Sequence, residues 1–187
     1  MRRRGFLTAL PAIPLGWGLL RVGFAATLAG GKSVTAIQQN WQQLLAPGAD
    51  VATTTDPITK TDAEWRQLLT PAQYFVLRHQ GTEIAFTSPL NDEKRSGVYI
   101  CAGCALPLFS SQMKFDSGTG WPAFFTLIPG SLVTTGSFQP GRLWGTEYHC
   151  VRCGGHHGHI FDDGPPPTGL RHCNNGVALR FIPQKSA

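Results

Sequence analysis

The stretch Tyr148-His149-Cys150-Val151-Arg152-Cys153-Gly154-Gly155-His156-His157-Gly158-His159-Ile160-Phe161 carries a Cys-x-x-Cys turn at the end of a strand-like run. An upstream stretch, Gly97-Val98-Tyr99-Ile100-Cys101-Ala102-Gly103-Cys104, has the same layout. Each such turn points two thiolates at one spot, and two turns can close a tetrahedron around a soft divalent ion. Gly103, Gly154 and Gly155 supply the backbone freedom that such turns need. Structural zinc on Cys101, Cys104, Cys150 and Cys153 is the favoured reading. Iron and a pair of disulfides are the rivals, although a bond within one Cys-x-x-Cys is usually a strained redox couple. Four thiolates leave no open position, so an ion there would be structural and would tie the 97–108 hairpin to the strand before Gly154.

Outward from these turns, short runs at 106–109, 127–128, 132–135, 144–151 and 177–182 read as strands. Gly118 to Pro122 is a stiff turn carrying Trp121, and Asp162 to Pro167 is a proline-rich ordered turn. Upstream the period changes. Residues 62–69 and 71–79 read as short helices, capped by Thr61 and by Thr70 before Pro71, with Gly81 ending the second. Residues 33–45 also have helical spacing, with Ser33 as N-cap, and residues 47–60 read as a linker. With 22 glycines and 14 prolines in 187 residues, the expectation is an α+β domain, mainly β, with short N-terminal helices.

Residues 1–30 have the layout of an export signal: Arg2, Arg3 and Arg4, then an apolar run broken by Pro11 and Pro14, then small residues. Arg3-Arg4-Gly5-Phe6-Leu7 resembles the twin-arginine motif, so export to the periplasm is expected, with an ordinary secretory signal or an uncleaved anchor as alternatives. That route carries folded proteins, so zinc can be loaded before the thiols meet an oxidising compartment. The chain then divides into the signal at 1–30, a helix and linker at 31–60, and the main domain at 61–187. Four of the 16 basic residues lie in the leader; the remaining 12 face 11 acidic ones. A near-neutral domain gives no basis for nucleic-acid binding, and a membrane is met only through an uncleaved signal.

The fifth cysteine, Cys173, stands apart in Arg171-His172-Cys173-Asn174-Asn175. A buried free thiol is the bland reading. Arg171 can lower its pKa by charge and Asn175 can orient a polar group, which makes a nucleophile the sharper reading. His156, His157 and His159 fit a second metal site, proton donors near Cys173, or packing. On a strand His157 faces away from His156, and Gly158 permits a bend before His159. For Trp121, spacing alone favours the core.

Together these stretches resemble the B-type methionine sulfoxide reductases over residues 64–181. The likeness runs through Glu64-Trp65-Arg66, Leu69-Thr70-Pro71-Ala72-Gln73-Tyr74, Cys101-Ala102-Gly103-Cys104, Lys114-Phe115-Asp116-Ser117-Gly118-Thr119-Gly120-Trp121-Pro122, Cys150 to Phe161 and Cys173-x-Asn175. The resemblance implies two antiparallel β-sheets with a structural zinc, and reduction of methionine-R-sulfoxide. It implies Cys173 as catalytic cysteine, with Arg171, His156, His159 and Asn175 in the active site and Trp121 holding the substrate methyl. Oxidised proteins or peptides would be the substrate, and Cys173 would pass to a sulfenic acid.

Many relatives have a resolving cysteine where this chain has Thr119, so a one-cysteine enzyme is expected, regenerated by an external thiol donor, thioredoxin-like or another periplasmic reductant. His157 stands where an apolar residue is usual, and His172 replaces a tyrosine. Asn174 and Gly176 are more polar or smaller than the common choices, and Gly145 replaces a frequent basic residue. The rival functions are a zinc-ribbon-like binding module without catalysis and a thiol peroxidase-like redox protein.

Overall fold

The structure, a computed structural model, describes residues 33–184. The export signal expected at 1–30 lies outside the described residues. Among those described, no helix is long and apolar enough to cross a membrane.

Helices precede strands, as expected. Helix α1 (Val34–Gln39) is capped by the Ser33 hydroxyl, which accepts from Ala36 N. It stops at Asn40, where a separate 3-10 turn (Trp41–Leu44) begins, so the 33–45 run is two pieces. Helices α2 (Asp62–Leu68) and α3 (Pro71–His79) each start in a capping box, Thr61 with Glu64 and Thr70 with Gln73. Each box satisfies two backbone donors at a helix N-terminus. The left-handed residue that closes α3 is Gln80, one position before Gly81. Residues 47–60 contain no regular element but cross both cysteine turns: Ala52 N donates to Ala105 O at 3.0 Å and Ile58 N to Arg152 O at 2.8 Å. Ile37 and Leu44 are buried in the common core.

The strands form two antiparallel sheets. The small sheet has β1 (Gly97–Cys101) between β2 (Pro107–Ser110) and β9 (Leu179–Pro183). The large sheet runs β3 (Lys114–Phe115), β4 (Ala123–Phe124), β8 (Arg171–Asn174), β7 (His156–Phe161), β6 (Thr146–Cys150) and β5 (Leu132–Thr134). Strand β1 is buried on both faces, so it reads as an unbroken apolar run. Phe109 stacks on Phe124 at 4.0 Å and Tyr99 meets Phe124 edge-on at 5.0 Å, which locks the two sheets together.

Two strand expectations change. Residues 127–128 form no strand; Ile128 N makes a single cross-connection to Leu108 O before a turn. The run at 177–182 starts as a 3-10 turn (Gly176–Ala178) and pairs only from Leu179. The two-residue strands β3 and β4 are too short for a period to show.

Candidate active site and metal centre

The two cysteine turns have one geometry. Ala105 N donates to Cys101 O and Gly154 N to Cys150 O, both at 2.9 Å. Cys101 N and Cys150 N close the same loops onto Leu106 O and Gly155 O. The first turn ends β1 of the small sheet and the second ends β6 of the large sheet, so the quartet joins the sheets. Cys101 Sγ lies 3.6 Å from Cys153 Sγ, and Cys104 Sγ lies 3.5 Å from Cys150 Sγ. Disulfide sulfurs stand about 2.05 Å apart, so these pairs are not bonded. A tetrahedral thiolate site with bonds of ~2.3 Å puts its sulfurs about 3.8 Å apart, which these buried atoms nearly match. Hydrogen bonds from the neighbouring thiols, more than burial, push the Cys101 pKa well up, and the same neighbours pull Cys104 down. A quartet this crowded cannot carry four charges unaided, so the donor set fits a divalent metal ion.

Cys173 lies at the middle of the large sheet, opposite Ala123 on β4 and His159 on β7. Directly opposed residues share a face, with Cβ atoms about 5 Å apart. Cys173 and His159 therefore open on one cavity of about 300 Å³, also lined by Thr82, Trp121, Trp144 and Asn175. Gly158 makes this register possible, since a Cβ there would stand 1.9 Å from Cys173 O. Burial pushes the Cys173 pKa up, while the Arg171 charge and a hydrogen bond from Thr119 pull it down. Arg171 sits two residues along the same face. Asp163 clamps its guanidinium through two bonds of 2.7 and 2.8 Å, and it lies 4.2 Å over the Phe161 ring.

His156 reaches the same face by a β-bulge. Tyr148 pairs with Gly158 but His149 pairs with His156, so His157 is the extra residue. The bulge turns His156 towards His159, ring centroids 5.5 Å apart, and sends His157 inward to the metal quartet. His156 Nδ1 is 2.6 Å from Glu147 Oε1, and burial holds its pKa below the ordinary value. His159 is also held low by burial, so both rings rest neutral near pH 7. His156 does not line the cavity itself.

Asn175 borders the cavity, but its side chain serves the backbone: Nδ2 donates to His157 O at 3.0 Å and Oδ1 accepts from Glu83 N at 2.9 Å. Trp121 is half-buried rather than a core residue, and its indole N–H donates to Glu83 O at 3.1 Å. Glu83 is thus a hub that sequence reading missed. Its carboxylate also accepts from Gly176 N at 2.5 Å and Val177 N at 2.9 Å. Asp163, Glu147 and the contact of His157 with Cys101 were missed as well, although His157 faces away from His156 as expected. The only signal for Glu147 was its place two residues before His149 on a strand facing the histidines.

The departures near Cys173 have structural accounts. His172 is buried between Phe109 and Tyr148, its Nδ1 3.1 Å from Phe124 O, and burial pushes its pKa down to about 4. Asn174 Oδ1 accepts from the Tyr148 hydroxyl at 2.9 Å. A Cβ on Gly176 would stand 1.9 Å from Ser88 Oγ.

The chain is matched by the SelR domain model over residues 69–183. It is 48% identical over 130 residues to a peptide methionine sulfoxide reductase MsrB of Agrobacterium fabrum, covering 70% of this chain and 96% of that one. It is 51% identical over 125 residues to the protein of that name in Thiobacillus denitrificans, covering 67% and 95%. It is 48% identical over 124 residues to that of Methanosarcina barkeri, covering 66% and 87%. These matches span the site and both sheets, and this chain belongs to the MsrB family of SelR-domain proteins.

Proposed function

We propose that this oxidoreductase reduces methionine-R-sulfoxide in oxidised proteins and peptides to methionine. The observation that carries the reading is the cavity in which Cys173, the one cysteine of five outside the quartet, faces Trp121 and His159. The Cys173 sulfur attacks the sulfoxide sulfur. The oxygen takes up protons supplied through His159, with His156 behind it, and leaves as water. Water then cleaves the sulfur–sulfur bond, releasing methionine and leaving Cys173 as a sulfenic acid. Trp121 offers its face to the substrate methyl, and Arg171 lowers the cost of the thiolate. Two equivalents of an external thiol return the sulfenic acid to the thiol, with a disulfide and water as products. Trp144, which lines the cavity and is 77% exposed, and its exposed neighbour Leu143 suit an unfolded polypeptide.

The test is turnover of separated R and S epimers by the wild-type protein and by Cys173→Ser. Reduction of the R epimer alone, lost in the variant, is expected. Equal turnover of both epimers, or activity on peroxide only, overturns the reading.

The quartet suits a structural zinc, which would supply a link between the sheets and no open coordination position. Export by the twin-arginine route belongs to the same proposal. Its support is Arg3-Arg4-Gly5-Phe6-Leu7. Periplasmic recovery that fails on changing Arg3 and Arg4 to Lys is the expected result.

A further inference from the structure

A second group of metal donors stands on the cavity side of the large sheet, apart from the cysteine quartet. Glu147 and His149 are two residues apart on β6, so they share a face, and His156 lies opposite His149 on β7. Glu147 Oε1 is 2.6 Å from His156 Nδ1 and 3.3 Å from His149 Nε2. The ligand atoms of all three residues lie within 4.8 Å of one another. The Thr135 hydroxyl lies 2.9 Å from the same His149 Nε2, and an ion on that nitrogen displaces this exposed contact. His149 and Glu147 are 20% and 21% exposed, so an ion can enter from solvent, whereas His156 is only 2% exposed and anchors the inner corner.

We propose that Glu147, His149 and His156 form a reversible site for a zinc-class divalent cation, and that filling it inhibits the enzyme. Two imidazoles and a carboxylate are the donor set zinc and its neighbours prefer. Tetrahedral donors at ~2.0–2.1 Å stand about 3.3 Å apart. The Glu147–His149 pair already has that spacing, and the Glu147–His156 pair, at 2.6 Å, reaches it by opening about 0.7 Å. The carboxylate already gathers both rings, so the cation replaces their protons with little rearrangement. Three protein ligands leave a position for water, so binding is exchangeable, unlike that in the closed thiolate quartet. An ion on His156 Nδ1 replaces the proton shared with Glu147 and sets a positive charge beside His159, 5.5 Å off. The inhibition rests on the proposed proton delivery through these rings; the binding does not.

The test separates the two. Zinc is titrated into zinc-loaded full-length protein carrying Cys173→Ser, followed by calorimetry, with cobalt as a spectroscopic stand-in. One further equivalent with a nitrogen–oxygen cobalt spectrum is expected, and it disappears in the added His149→Gln variant while the thiolate-bound equivalent remains. That retained equivalent shows that the variant is folded. In zinc-loaded proteins with Cys173 intact, half-inhibition should need at least ~10-fold more added zinc in His149→Gln, each rate being normalised to its own value before zinc is added. No further equivalent, or one kept in His149→Gln, overturns the site. Loss of the extra equivalent on Cys173→Ser alone would assign it to Cys173 and His159 instead and overturn the proposal. Binding without inhibition overturns the regulatory half.

Discussion

His157 Nε2 lies 3.3 Å from Cys101 Sγ, so the side chain next to His156 reaches the cysteine quartet, where its N–H would donate to a metal-bound thiolate. The same residue's carbonyl accepts from Asn175 N at 2.9 Å and Asn175 Nδ2 at 3.0 Å. One residue therefore links the thiolates to the loop bordering the cavity. Donors to a ligand sulfur stabilise the thiolate and fix its direction. Replacing His157 with Leu keeps the volume apolar and removes the donor. Metal release to a chelator should be faster by about 10-fold, with the loaded protein still folded. Unchanged release would show that the contact is packing alone.

The pH dependence of Cys173 reactivity follows from the balance around it. Burial raises its pKa, and Arg171 and Thr119 work against that rise. Alkylation by iodoacetamide follows the thiolate, so its rate should rise with pH through an inflection above that of an ordinary thiol. Arg171→Met removes the positive charge, and the inflection should move further up, with slower alkylation at neutral pH. Asp163→Asn frees the guanidinium from its clamp without removing its charge, so it should perturb the profile less. An unchanged inflection in Arg171→Met would show that the guanidinium is not felt at Cys173.

The cysteine quartet and its tie between the sheets were legible because ligand spacing is a local code. Both capping boxes were legible for the same reason. The convergence of His156 and His159 was only conditional in the sequence. A three-residue separation on a strand puts side chains on opposite faces unless a bulge intervenes, and a bulge is set by the partner strand. Glu83 was invisible because its partners are backbone N–H groups more than 90 residues away, which no side-chain pattern marks. Trp121 leaves the core because Glu83 O holds its indole N–H at the cavity. The split of the 33–45 helix at Asn40 follows tertiary packing that buries Ile37 and Leu44 together, outweighing helical spacing.

Glu83 also makes a prediction about binding. Its carboxylate accepts two backbone donors and its carbonyl fixes Trp121, so the residue couples the cavity's aromatic wall to the 3-10 turn after Cys173. Glu83→Ala leaves the Gly176 and Val177 N–H groups without an acceptor and should cost about 2 kcal/mol of stability, read from denaturant unfolding. The backbone carbonyl that accepts from Trp121 stays, but the segment carrying it loses its side-chain tether to Gly176 and Val177, so the direction of Trp121 should loosen while Cys173 and His159 keep theirs. KM for a sulfoxide peptide should rise more than kcat falls. A kcat loss with KM unchanged would mean that the hub serves the chemistry and not the wall.

Thr119 bears on how the oxidised enzyme is restored. It is among the groups that lower the Cys173 pKa, so a thiol at this position would lie near Cys173. The wild-type protein has no other free thiol at the cavity, because the remaining cysteines are gathered in the quartet. After one turnover without reductant, the wild type should carry a single added oxygen on Cys173, trapped by dimedone and seen by mass spectrometry. Thr119→Cys should instead lose water and close a disulfide to Cys173, two mass units below the reduced form. Closing it needs Cα atoms within about 6.8 Å and some movement of the 118–120 turn, where Gly118 and Gly120 have positive φ and can adjust. The variant should accept electrons from a dithiol reductant faster than the wild type, because an exchangeable disulfide replaces the sulfenic acid. A persistent sulfenic acid in Thr119→Cys would show that the turn is too rigid to bring the two sulfurs together. A disulfide in the oxidised wild type would mean that a quartet cysteine leaves its metal to act as the resolving thiol.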